Sequence, residues 1–204
     1  NALNILTQHA SKVGAIDLGV HSVTENNNFS FFDKLNNEEF KLVYLLGADD
    51  INFEKKDKFI IYQGSHGDRG AAIADVILPG AAYTEKNGSF INLEGKFQKS
   101  FKASYPPGEA REDWTIFKDL SNMMKKPLEY KNIEGLQKIL KNELNNKISS
   151  NNHNFKKTNY IDENILIKPI DYYYTNSIAR SSKVMSECRQ ISKNFLYTGI
   201  EKAS

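Results

Sequence analysis

Three short apolar runs, each closed by a polar turn that carries glycine, limit what this chain can fold into. They are Leu42 to Leu46 before Gly47-Ala48-Asp49-Asp50, Phe59 to Tyr62 before Gln63-Gly64-Ser65-His66-Gly67, and Ala74 to Leu78 before Pro79-Gly80. Their apolarity is continuous rather than alternating, the pattern of strands covered on both faces, as in a parallel sheet. The segments between the runs, 47–58 and 63–73, leave room only for short crossovers. The expected unit is a compact α/β sheet, with further strands lying outside this sequence. Helical periodicity on both sides of the runs argues against an all-β fold.

Upstream, Leu3, Leu6, Ala10 and Val13 recur at helical spacing, which predicts a helix over 2–14 stopped by Gly14. Glu25-Asn26-Asn27-Asn28 marks a surface loop. Downstream of Pro79, the order Asn87-Gly88, then Ser89 to Asn92, then Glu94-Gly95, then Lys96 to Gln98 reads as turn, strand, turn, strand. Both Gly88 and Gly95 are expected at positive φ. Asn87-Gly88-Ser89 also fits a glycosylation sequon, but the hairpin turn explains it without secretory features. After the Ser104 to Gly108 linker, Glu109 to Met124 predicts a helix with Trp114, Phe117, Leu120 and Met124 on one face. Glu109, Glu112 and Asp113 complement its positive N-terminal end. Ile133, Leu136, Leu140, Leu144 and Ile148 give another helix. Residues 149–159 are polar and expected to be mobile. A last helix over 177–196 presents Ile178, Met185, Cys188, Ile191 and Phe195.

The expected domains are therefore an α/β domain over 1–103 and a helical C-terminal extension over 104–204. With 204 residues, 40% hydrophobic and 25% charged, the chain can bury a core. A formal charge of +2 with scattered lysines leaves no nucleic-acid footprint. No apolar run is long enough to span a bilayer, so a soluble or peripheral protein is expected. The single cysteine, Cys188, excludes an internal disulfide and an all-cysteine cluster, and reads as a buried small hydrophobe. His9, His21, His66 and His153 are too dispersed to form a local metal site. The chain starts at Asn1 rather than Met, as a processed product or fragment would.

Gly64-Ser65-His66-Gly67-Asp68-Arg69-Gly70 is the segment that most invites chemistry. Its glycines free backbone N–H groups to approach an anion, Arg69 could pair with one, and His66 could move protons. The GxxGxxG spacing matches neither the dinucleotide fingerprint nor the P-loop. A tight turn needing glycine at φ > 0 is the preferred reading, and a relic of a ligand pocket the second. Ser65 and His66 are neighbours in sequence, a poor geometry for a nucleophile and its base, and there is no GxSxG elbow. Asp49 and Asp50 read as a solvated turn or helix cap.

Several longer motifs carry a family resemblance. Gly47-Ala48-Asp49, Tyr62-Gln63-Gly64 and Ala81-Ala82-Tyr83-Thr84-Glu85-Lys86 are three of them. The others are Glu85-x-x-Gly88-Ser89-Phe90-x-Asn92-x-Glu94-Gly95, Pro106-Pro107-Gly108-Glu109-Ala110-Arg111-Glu112-Asp113-Trp114, and the tail Asp171 to Ser182. In order and over most of the chain, apart from 20–40 and 128–165, they resemble the C-terminal part of the large iron–sulfur subunit of respiratory complex I. That NADH:ubiquinone oxidoreductase subunit is related to the molybdopterin oxidoreductases.

The resemblance implies a partial Rossmann-like sheet with a β-hairpin extension, followed by a mainly helical C-terminal appendage. It implies a non-catalytic structural and docking portion of the peripheral arm, on the matrix side of the mitochondrial inner membrane or the bacterial cytoplasmic side. No catalytic, cofactor-binding or metal-ligating residue is expected in this chain. Iron–sulfur clusters are expected in a missing N-terminal region or a partner. The implied partners are other complex I subunits, with neither nucleic acid nor a direct membrane span. Where the family carries arginine after Glu-Gly, this chain has Lys96, which cannot make a bidentate contact. Among residues expected to be held, at least one carboxylate of the Glu85–Gly95 motif should bind backbone donors or a basic side chain. The alternative reading is the dinucleotide-binding domain of an active molybdopterin enzyme such as a formate dehydrogenase. The chain's helical ending, in place of a β-barrel, argues against that, and a free-standing regulatory module is the third reading.

Overall fold

The structure, a computed structural model, describes residues 7, 9–20, 31–36, 40–51, 53–150 and 171–194. Two compact units are present, 1–154 and 155–204. The expected loop at 25–28 and residues 151–159 of the expected mobile stretch lie outside the described residues.

In the first unit, helices α1 (Lys12–Asp17) and α2 (Phe31–Asn36) precede three strands, β1 (Leu42–Leu46), β2 (Phe59–Gly64) and β3 (Val76–Pro79). The strands lie side by side in chain order and all run parallel, with Leu42 opposite Phe59 and Ile61 opposite Val76. This is the mixed α/β architecture expected. The first crossover carries no helix among its described residues, and the second holds the short α3 (Arg69–Ala72). Asp75 explains why β3 begins late. Its backbone N–H donates to the Ile60 carbonyl at 2.8 Å and its carboxylate accepts the Ile60 N–H at 2.8 Å, so it joins β2 as a clip rather than a rung.

The core sits on one face of this sheet, where Leu45, Ile60 and Tyr62 are buried against Val43, Ala48, Ile51, Phe53, Ala71, Ile73 and Ala74. The opposite face is less covered than continuous apolarity predicts. Leu42, Phe59 and Val76 are exposed there, while Tyr44 stacks on Phe117 at 5.6 Å between ring centres.

The hairpin pairs β4 (Gly88–Ile91) antiparallel with β5 (Phe97–Ser100). Its turn is organised by Asn92, whose side-chain oxygen accepts the N–H groups of Glu94 at 3.0 Å and Lys96 at 2.9 Å. Gly95 has φ +78° as expected. Gly88 does not occupy a positive-φ turn. It is the first residue of β4, and a Cβ there would meet Ser100 Oγ at 2.8 Å and the Phe90 ring at 2.9 Å. Its glycine serves close packing.

Helix α1 also differs from expectation. It starts at Lys12, runs through Gly14, and ends at Asp17, two residues before Gly19, whose φ is +74°. Residues 2–6 of the expected helix lie outside the described residues.

Helix α4 (Asp113–Met123) begins four residues later than expected. Arg111 is occupied elsewhere: its N–H donates to the Pro79 carbonyl and its carbonyl accepts the Ala81 N–H, extending the edge of β3. A residue so engaged cannot join a helix. Ile116 is the buried residue of α4, and Met123 and Met124 are exposed. Helix α5 (Ile133–Ser150) forms as expected, opened by the Asn132 side chain accepting the Gly135 N–H.

In the second unit, the expected single helix over 177–196 is two, α6 (Ser177–Ser181) and α7 (Lys183–Asn194), with Ser182 extended between them. Asn176 caps α6 through the Ala179 N–H, and Ser182 Oγ accepts the Met185 N–H at 3.3 Å. Residues 195 and 196 lie outside the described residues. Cys188 is exposed rather than buried. Asp171 pairs with Arg189 at 2.5 Å, and that guanidinium lies 4.4 Å from the Tyr174 ring centre. Burial pushes the Asp171 carboxyl up, but the Arg189 hydrogen bond and charge, with the Tyr173 and Tyr174 amides, outweigh it and hold it below the usual range.

Candidate functional site

The turn after β2 gathers the sequence candidates at the carboxyl edge of the sheet. Ser65 Oγ lies 2.9 Å from His66 Nδ1, the Tyr62 hydroxyl donates to the His66 carbonyl, and Asp68 accepts the Arg69 N–H at 2.9 Å. Ser65, His66, Tyr62 and Asp68 thus each make a hydrogen bond within the turn itself. Gly64, Gly67 and Gly70 are not at positive φ, so the turn requires glycine for a different reason. A Cβ on Gly64 would sit on the Tyr62 hydroxyl, and one on Gly70 would lie 2.6 Å from the Ala48 carbonyl oxygen. Chain atoms already fill the space beside both glycines.

Asp49 is buried and its carbonyl accepts the Gly70 N–H at 2.9 Å, which joins the first turn to the second. The solvated-turn reading fails for Asp49 and holds for Asp50, which is exposed. Among the described residues no three His, Cys, Asp or Glu side chains gather where they could hold a metal ion.

Beneath this edge lies a polar cluster that local sequence reasoning missed. Gln63 is fully buried at the end of β2. Its amide donates to Asp113 Oδ1 at 2.8 Å, and its carbonyl oxygen accepts the Tyr44 hydroxyl. Lys86 forms an ion pair with the other Asp113 oxygen. Burial, reinforced by the Asp113 charge, pushes the Tyr44 hydroxyl pKa up and keeps it a neutral donor. The signal was present: a glutamine closing an apolar strand must find partners. The backbone fits the same purpose. Gly80 donates to the Gly64 carbonyl at 2.9 Å, and a Cβ on Gly80 would crowd Asp113 at 3.1 Å.

The neighbouring motif residues extend the cluster. Trp114 Nε1 donates to Glu112 at 2.9 Å, Lys102 lies 3.5 Å from the same carboxylate, and Glu85 accepts the Ala82 N–H at 3.0 Å. Glu85 is thus the backbone-held carboxylate expected of its motif. Chemically this is a clasp: satisfied donors and acceptors tie β1, β2, the 80–86 loop and α4 together.

A family model for molybdopterin oxidoreductase matches residues 1–123. The chain belongs to the molybdopterin oxidoreductase family. A second model, for the C-terminal region of the NADH-ubiquinone oxidoreductase G subunit, matches residues 137–188. This molybdopterin oxidoreductase family member is 42% identical over 209 residues to the NADH-ubiquinone oxidoreductase 75 kDa subunit of Reclinomonas americana, covering 95% of the chain and 29% of that protein. It is 39% identical over 212 residues to the mitochondrial 78 kDa subunit of Candida albicans, covering 92% and 27%. It is 42% identical over 195 residues to the NADH-quinone oxidoreductase G subunit of Rickettsia felis, covering 91% and 27%. The chain spans less than a third of the length of these relatives. The resemblance read from the motifs is thereby shown. The family name implies a molybdopterin group. At Gly64 and Gly70 of the 64–70 turn the residues do not fit one, because Tyr62 and Ala48 occupy the space that those two glycines would leave to a phosphate.

Proposed function

We propose that this chain is a structural and docking portion of the peripheral arm of a proton-pumping NADH:ubiquinone oxidoreductase, with no catalytic residue of its own. It would brace the part of the subunit that relays electrons from NADH toward quinone. A partial Rossmann-like sheet with its hairpin would form the brace, and the helical C-terminal appendage would dock. The observation that carries this reading is the match to the G and 75 kDa subunits across more than nine-tenths of the chain. The clasp supports it: the polar cluster around the buried Gln63 is spent on holding elements together. Cofactors would reside outside this chain, and its partners would be other subunits of the complex. The place proposed is the matrix side of the mitochondrial inner membrane or its bacterial equivalent. No helix among the described residues is long and apolar enough to cross a membrane.

Isolation of the chain from its host in mild detergent tests this directly. Stoichiometric recovery with other NADH:quinone oxidoreductase subunits is expected, and iron should fractionate with those partners when the chain is separated. Recovery without any such subunit, or stoichiometric iron or molybdenum on the separated chain, would sink the proposal.

A further inference from the structure

A cavity of about 260 Å³ lies against the clasp, bounded by the start of β4, the start of α4 and one face of α5. Its walls differ in chemistry. Trp114 makes an apolar wall with Ile133, Leu136 and Leu140, which recur at helical spacing along α5. Glu112, Asp113, Asn87, Ser89 and Gln137 contribute polar groups to the other.

The acceptors of that polar wall are spent, while several of its donors are not. Glu112 takes the Trp114 indole N–H at 2.9 Å and has the Lys102 ammonium at 3.5 Å. Asp113 takes the Gln63 amide at 2.8 Å and pairs with Lys86. Asn87 Oδ1 accepts the Lys102 N–H at 3.0 Å, and Gln137 Oε1 accepts the Lys99 ammonium at 2.7 Å. Those partners can only donate, so the unspent end of each side chain is its NH2 group. Ser89 Oγ has no hydrogen-bond partner among the described residues. Ser89 stands opposite Lys99 in the hairpin, on the same face, and Lys99 reaches Gln137, so the Ser89 hydroxyl and the Gln137 NH2 share one side of the cavity.

An apolar wall facing unspent donors suits a molecule with an apolar body and an acceptor at one end. Charge narrows the class. An anion would face Glu112 and Asp113, and a cation would find both carboxylates already paired. A neutral carbonyl meets neither cost. We infer that this cavity binds a small neutral carbonyl compound, an amide or ketone on a compact aliphatic body. Its carbonyl oxygen accepts from Ser89 Oγ and Gln137 Nε2, and its body displaces water from Trp114, Leu136 and Leu140. Occupancy ties the hairpin to α5 and stabilises the first unit as ligand concentration rises.

Trp114 is the single tryptophan of the chain, so its emission reports on this cavity. Titrating the full chain with cyclohexanecarboxamide should shift that emission saturably and raise the thermal midpoint. Cyclohexanecarboxylate and cyclohexylmethylammonium, similar in size but charged, should bind at least about tenfold more weakly. Ser89→Ala deletes a hydroxyl that bonds to no described group, and Gln137→Met keeps the length of an exposed-edge side chain without its NH2. Both should keep the thermal midpoint of the unliganded chain and weaken the amide about threefold to tenfold. No saturable shift in wild type overturns the inference, as does a charged analogue binding as tightly as the amide. Undiminished affinity in either folded variant overturns it too. None of these results bears on the docking role, which co-isolation tests.

Discussion

Gln63 and Asp113 are 50 residues apart in sequence and joined by a 2.8 Å hydrogen bond beneath the carboxyl edge of the sheet. Removing the carboxylate orphans a buried amide and an ammonium together. Asp113→Ala is therefore expected to destabilise the first unit by about 1–3 kcal/mol, and Asp113→Asn, which keeps an acceptor for Gln63, by less. Urea unfolding of both variants checks this, and equal losses would show that the Gln63 contact contributes nothing beyond the Lys86 charge.

Two glycines should fail for different reasons. Gly70→Ala drives a methyl into the Ala48 carbonyl and is expected to cost about 1–3 kcal/mol by overpacking. Gly95→Ala has open space but φ +78°, and should cost about 1–2 kcal/mol through backbone strain alone. Asparagine tolerates that conformation, so Gly95→Asn should recover most of the loss and Gly70→Asn none. Denaturant midpoints for the four variants separate the mechanisms.

Acid should loosen the second crossover. The Asp75 carboxyl is held below its usual range by the Lys55 hydrogen bond first and the Ile60 amide second. A lowered folded pKa means that the stabilisation is present above the unfolded carboxylate pKa and is lost as pH falls through the folded one. The stability gap between wild type and Asp75→Asn should therefore narrow toward acid pH, measured as the difference in thermal midpoint across a pH series. A gap that widens on acidification would contradict the assignment.

The tail is expected to act in docking. Tyr172 is exposed beside Tyr173, and α7 presents Val184, Cys188 and Ile191 outward at successive turns. Tyrosine combines a large apolar face with a polar tip and suits interfaces. Truncation after Lys168 should leave the parallel sheet folded and abolish recovery with the complex. Circular dichroism and co-isolation together report both halves of that statement.

Much of this architecture was legible because it is local. Continuous apolarity and Gly47 marked β1, and Asn92 with Gly95 marked the hairpin turn. Gly88 was misread because Asn-Gly has the chemistry of a turn, whereas here Phe90 and Ser100 leave no room for a side chain. The break at Ser182 was hidden by an uninterrupted apolar periodicity, although serine favours the start of a helix. Of the clasp, the 106–114 motif was visible but its pairing with Gln63 was not. Local patterns do not encode a partner 50 residues away.

The short crossovers also order events in time. Ile60 meets Asp75 across 15 residues and Tyr44 meets Gln63 across 19, whereas Gln63 waits 50 for Asp113. Closing a loop costs more entropy as it lengthens. The three strands can thus assemble as a near-neighbour nucleus while the chain is still emerging from the ribosome, and α4 locks a sheet that has already formed.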